Sequence, residues 1–265
     1  MSYKRLDPED FLVSIDSITA TAWSTNSPTL STFFTSSATS TNDVYYKNVY
    51  QTGSTESGSA VQFAIAYGNK AGSGSANYND LVPGVSPTRT VYGQYRNLVY
   101  GDENAQFIFG TVTASDFWAI NIDRARYKEH LLKGTFNIKL SGSYNLQLTD
   151  NSGMVSTDTY LDCGRVYQII SGSNGVAYSG TGYSASSGSY GLFLPDIATI
   201  ILNPLALSQS INLEPTRTSD TNVDNIGKLF NAISGSGAAS FQLNSEETIT
   251  SDYVFVRSRN AEFNY

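Results

Sequence analysis

Residues 116–150 read DFWAINIDRARYKEHLLKGTFNIKLSGSYNLQLTD, and their change of period decides the fold class. The first half carries helical spacing. Asp123 is a capping residue for a short helix over 124–133, and Gly134 ends it. Ala125, His130, Leu131 and Leu132 make only a narrow apolar stripe, so a helix of about three turns must dock on something to persist. The second half alternates. Phe136, Ile138 and Leu140 interleave with Asn137 and Lys139; after a turn at 142–143, Tyr144, Leu146 and Leu148 interleave with Asn145 and Gln147. This pattern predicts a β-hairpin with one apolar face, which needs further strands or a partner to be stable.

Outward from this anchor the chain reads as mainly β, either a β-sandwich or a mixed sheet, with two or three short helices. VQFAIAYG (61–68) alternates, QFIFGTV (106–112) has strand character, and TYLDCGRVYQII (159–170) holds one or two strands. LFL (192–194) and IATIIL (197–202) are apolar strands interrupted by Pro195 and Asp196, and Asn203-Pro204 reads as a turn. Helices are expected at 94–100 and at 224–233, where Ile226, Leu229, Phe230 and Ile233 share a face behind Asp224. FLVSIDSITA (11–20) reads as a strand, and Phe241 and Leu243, then Tyr253 and Phe255, as strand alternation near the end. Residues 1–43 form an extended arm, or strand plus loop; residues 44–265 form a β-rich body with Gly/Ser/Tyr loops at 68–79 and 171–191.

The 265 residues carry a formal charge of -7, with only 15% charged residues, against roughly 25% in ordinary soluble domains. The acidic balance argues against wrapping nucleic acid. No apolar run reaches the ~20 residues of a membrane helix, and the N-terminal sequence has no signal-peptide pattern. Cys163 is the single cysteine. It excludes an internal disulfide and is expected as a small buried hydrophobe. One histidine and one cysteine give no local support for a zinc cluster or a Cys-His dyad. The loop at 68–79 is not a phosphate loop, because no GK[ST] follows its glycines. SDTNVDN (219–225) lacks the central glycine and final Glu of a calcium loop. No catalytic residue, metal ligand or cofactor is expected.

Tyrosine, at 18 residues, and phenylalanine, at 13, are the outliers. Tyr offers rigid contact area with a polar tip. The candidate partner contacts are Trp23, Phe33 and Phe34 in the N-terminal arm, Tyr178, Tyr183 and Tyr190 in the long loop, and Phe263 and Tyr265 at the end of the sequence. Arg124, Arg126, Lys128 and Lys133 would give the 124–133 helix a basic face, turned to solvent or to an acidic neighbour.

AYGNKAGSGS (66–75), RTVYGQYRNLVYGD (89–102), DFWAINIDRARYKEHLLKGTFNIKLSG (116–142), YGLFLPDIATIILNP (190–204) and SEETITSDYVFVRSRNAEFNY (245–265) resemble virion structural proteins of contractile-tailed bacteriophages. They are most similar to baseplate or tail proteins of cyanobacterial and related myoviruses. The resemblance implies a non-enzymatic assembly part with no cofactor, made in the host cytoplasm and built into the virion in several symmetry-related copies. It would contact other tail and baseplate proteins through extended loops, without nucleic-acid binding or membrane insertion. In such proteins the sequence after SRNAEFNY continues, which implies a longer gene product. A competing expectation is a receptor- or carbohydrate-binding module on the virion surface, built on an exposed groove of Tyr178, Tyr183 and Tyr190.

Overall fold

The computed structural model describes residues 8–35, 45–74, 86–179, 187–218, 224–235 and 239–255. The strands in chain order are β1 (Phe11–Thr21), β2 (Thr29–Leu30), β3 (Phe34–Thr35), β4 (Tyr46–Tyr50) and β5 (Val61–Asn69). Helix α1 (Pro87–Tyr100) precedes β6 (Phe107–Phe109), β7 (Val112–Ala114), β8 (Asp116–Ile122), β9 (His130–Leu131), β10 (Asn137–Leu140) and β11 (Leu146–Asp150). Then come β12 (Thr159–Leu161), β13 (Gly164–Ser173), β14 (Val176–Ala177), β15 (Gly191–Leu194) and β16 (Thr199–Leu202). Helices α2 (Pro204–Ile211) and α3 (Asn225–Ser234) lead to β17 (Phe241–Gln242) and β18 (Asn244–Val254).

The fold is mainly β, and every pairing between described strands is antiparallel. The large sheet runs in the order β2-β17-β10-β11-β13-β15-β16-β8-β5-β4-β3. Eleven strands laid flat would hold their edges about 48 Å apart. Yet β2 and β3, the two edges, are joined by residues 31–33, a link that spans at most ~14 Å. The sheet therefore curls until its ends meet. The rings agree: Phe63 on β5 and Phe241 on β17, near opposite ends of the order, lie 5.4 Å apart.

Alternation sorts side chains to the two faces. Phe63, Ile65, Trp118, Ile120, Phe193 and Ile200 point inside, with Ile226, Leu229 and Ile233 of α3 packed among them. Ala66, Phe117, Leu192 and Ile201 point outward and are covered by Val91, Tyr92 and Val99 of α1 and by Phe107 and Phe109 of the β6–β7 hairpin. Burial on both faces is why β8, β15 and β16 are almost continuously buried.

The predicted hairpin forms β10 and β11, with Leu140 opposite Leu146. The helix expected at 224–233 is α3, capped by Asp224, which accepts from the Gly227 amide. The helix expected at 94–100 is the end of α1, which starts at Pro87. Four expectations need correction. Residues 116–122 are strand β8. No helix occupies 124–133: Asp123 does cap, accepting from the Ala125 amide, but only a 3-10 turn over Arg124–Arg126 follows. His130 and Leu131 instead pair with Glu246 and Ser245 of β18, and tertiary pairing overrides the local helix preference. Asn203-Pro204 opens α2 rather than making a plain turn: Asn203 accepts from the Leu205 amide and Pro204 takes the first helical position. Cys163, expected buried, sits half-buried at the β12–β13 turn, its thiol pushed up to about 11 mainly by burial.

No helix among the described residues is long and apolar enough to cross a membrane.

Candidate functional site

Strands β1 and β18 lie outside the curled sheet and pair over eleven positions, from Phe11 opposite Val254 to Thr21 opposite Asn244. The Phe255 amide extends the ladder by donating to the Asp10 carbonyl at 2.9 Å. At about 3.4 Å per residue this ribbon is roughly 37 Å long. Its base is fixed: the Ala22 amide donates to the Leu243 carbonyl at 3.1 Å, and Trp23 and Leu243 are in the core. Toward the tip it is bare. Phe11, Leu12, Val13, Ile15, Ile18, Tyr253, Val254 and Phe255 are between 48% and 71% exposed.

FLVSI has no period of two, so apolar side chains point to both faces. Phe11 stands with Val254 on one face, Leu12 with Tyr253 on the other. A ribbon lying on its own body would hide one face and show polar groups on the second; this one cannot. Among the described residues, β1 pairs only with β18, and β9 meets β18 only at Ser245 and Glu246, which leaves backbone edges without a described partner. The charges are one-sided: Asp16 on β1 and Glu246, Glu247 and Asp252 on β18, with no Lys or Arg on either strand.

The ribbon's root is an electrostatic clasp. His130 Nε2 lies 3.1 Å from Glu246 Oε2, Ser17 donates to Glu246 Oε1, and the Thr248 amide donates to Glu129 Oε2 at 2.8 Å. The Ser17 bond, with His130 beyond it, holds the Glu246 carboxyl below its ordinary value; the Thr248 amide does the same for Glu129. Lys128 pairs with Glu247 at 3.3 Å.

The residues expected as partner contacts are scattered. Trp23 and Phe33 pack within the chain's own core, Trp23 against Phe241 with centroids 4.8 Å apart. Phe34 is exposed. Tyr178 is exposed, whereas Tyr190 packs partly on the core with its hydroxyl 2.8 Å from Ser210 Oγ. The two therefore do not form one groove. Tyr183, Phe263 and Tyr265 lie outside the described residues. The basic residues share no helix face. Arg124 donates to the Tyr127 carbonyl at 2.6 Å and stacks on its ring, Lys128 meets Glu247, and Lys133 pairs with Asp158 at 2.8 Å. Sequence reasoning found β1 but, of β18, only the stretch around Tyr253, and not the pairing of the two strands. The available signal was FLVSI itself, a strand with no polar face.

A smaller feature is a groove of about 320 Å³ lined by Lys139, Tyr144, Asn145, Leu146, Gln147, Ser171 and Tyr178. Among the described residues no group of three or more His, Cys, Asp or Glu side chains is placed to hold a metal ion. No family model matches the chain, and comparison with curated proteins and with solved structures returns no match.

Proposed function

We propose that the chain is a non-enzymatic structural subunit of a contractile phage tail, at the baseplate, and that the β1–β18 ribbon is its grip on a neighbouring subunit. The ribbon carries this reading: eight large apolar side chains stand exposed on both faces of one long two-stranded ribbon. Monomeric proteins do not leave such edges bare unless something covers them. Covering them is worth on the order of 1 kcal/mol or more per side chain before the costs of association. The partner is a different protein with an apolar cleft and a basic rim: beyond the Lys128–Glu247 and His130–Glu246 pairs, the ribbon's charges are Asp16 and Asp252, both acidic. The baseplate assignment rests on the resemblance of the five quoted segments to tail proteins of cyanobacterial and related myoviruses.

An antibody raised against the chain and applied to virions of the phage carrying its gene tests the assignment. Gold label at the distal end of the tail is expected. Its absence from both intact and disrupted particles would overturn the proposal.

A further inference from the structure

The groove on the β10–β11 hairpin is built from pieces fixed on both sides. On one wall, Tyr144 belongs to the five-residue turn between β10 and β11. That turn is tied to the end of α2: the Ser143 amide donates to the Ile211 carbonyl at 3.0 Å, and Asn212 Nδ2 donates to Ser143 Oγ at 2.7 Å. On the other wall, Tyr178 follows β14, and its amide donates to the Ser171 carbonyl at 3.2 Å. Gly172 makes that approach feasible, since a Cβ there would lie 2.1 Å from the Val176 carbonyl oxygen. Between the rings, Lys139 and Gln147 stand opposite each other in the β10–β11 register.

Tyr144 is 56% and Tyr178 64% exposed. Rings held this open by anchored backbone present their faces to solvent without belonging to the core. The Asn145 and Gln147 amides and the Lys139 ammonium make no side-chain hydrogen bond to another described residue. Each amide offers two donors and an acceptor to a ligand. No Asp or Glu lines the groove.

We propose that this groove binds a saccharide. A pyranose offers an apolar face of C–H groups for a tyrosine ring and a rim of hydroxyls that both donate and accept, which suits an amide pair. Two rings bracketing the groove take one or two sugar units, and Lys139 favours a sugar bearing a carboxylate. This site is separate from the ribbon and does not depend on the baseplate reading.

Saturation-transfer difference NMR on the whole chain, with hexagalacturonate, maltohexaose and chitohexaose at millimolar concentration, tests it. Ring C–H signals from at least one oligosaccharide are expected. Tyr144→Ala and Tyr178→Ala should each weaken binding about tenfold, while Tyr178→Phe keeps most of it. Hexagalacturonate should bind about threefold tighter than maltohexaose, a margin that Lys139→Met removes. No transfer to any of the three, or transfer unchanged in both alanine variants, overturns the proposal. Neutral binding equal to acidic binding in the unaltered chain overturns the role of Lys139.

Discussion

Asp116 is buried where β8 begins and accepts two hydrogen bonds, from the Tyr67 hydroxyl at 2.8 Å and from Arg217 Nε at 2.7 Å. Burial first, and then the neighbouring carboxylate, pushes the Tyr67 hydroxyl well above its ordinary range, so it stays a donor. Removing Arg217 would strand a buried carboxylate with one neutral donor. Breaking a fully buried pair costs roughly 3–5 kcal/mol, but Arg217 is partly in solvent and water will reach the site. Arg217→Ala is therefore expected to cost about 2 kcal/mol in urea denaturation, and Asp116→Leu added to it should recover part of that loss. The core sets the upper scale. Phe241 is fully buried and meets Trp23, Phe63 and Phe136 at 4.8, 5.4 and 5.9 Å. Phe241→Ala should cost about 3–5 kcal/mol. Ile15, 71% exposed on the ribbon, should lose less than about 0.5 kcal/mol on the same truncation. A comparable cost at Ile15 would mean the ribbon packs on its own body.

Helix α1 ends at Gly101, whose left-handed φ of 64° lets its amide close on the Asn97 carbonyl at 2.9 Å. An alanine there would adopt a disfavoured conformation and set its Cβ 2.5 Å from Asp162 Oδ2. Gly101→Ala should lower the unfolding free energy by about 1–2 kcal/mol, read from the denaturant midpoint. The ribbon root responds to acid. Glu246 and Glu129 have folded pKa values below the ordinary 4.5. Their contribution is fully present above that value and is lost as pH falls through the lower folded values. Amide-exchange protection of Thr248, which donates to Glu129, should fall once pH drops below 4.5 while that of core strand β8 holds. Equal loss in both would point to global unfolding rather than a local clasp.

At the scale of the molecule, the curled sheet closes on its own core, and the ribbon stands exposed, as the proposed grip requires. Val13→Ser with Phe255→Ser should therefore leave the thermal midpoint within a degree or two, since both side chains are mostly in solvent. On the proposed tail assignment, the same pair should abolish incorporation into tails, measured by immunoblot of purified virions. Incorporation at the ordinary level would remove the ribbon as the grip.

Local pattern and capping were legible from the residues. Phe136, Ile138 and Leu140 against Leu146 and Leu148 announce the hairpin because a strand's period is two, and Asp224 with Ile226, Leu229 and Ile233 announces α3 because a helix's is near four. Alternation in run after run marked the chain as mainly β. The start of α1 and the whole of α2 were hidden because proline reads as a breaker, although it fits the first turn of a helix, where its missing amide has no partner to lose. Residues 124–133 were misread because good helix formers there are outweighed by the pairing of His130 and Leu131 with a strand more than a hundred residues away. Which aromatic side chains are core and which are surface, the meeting of β2 with β3, and the union of the first and last described strands in one exposed ribbon were decided only in the tertiary structure. Each depends on contacts between residues far apart in sequence, and side-chain periodicity carries no information about which strand will be the neighbour.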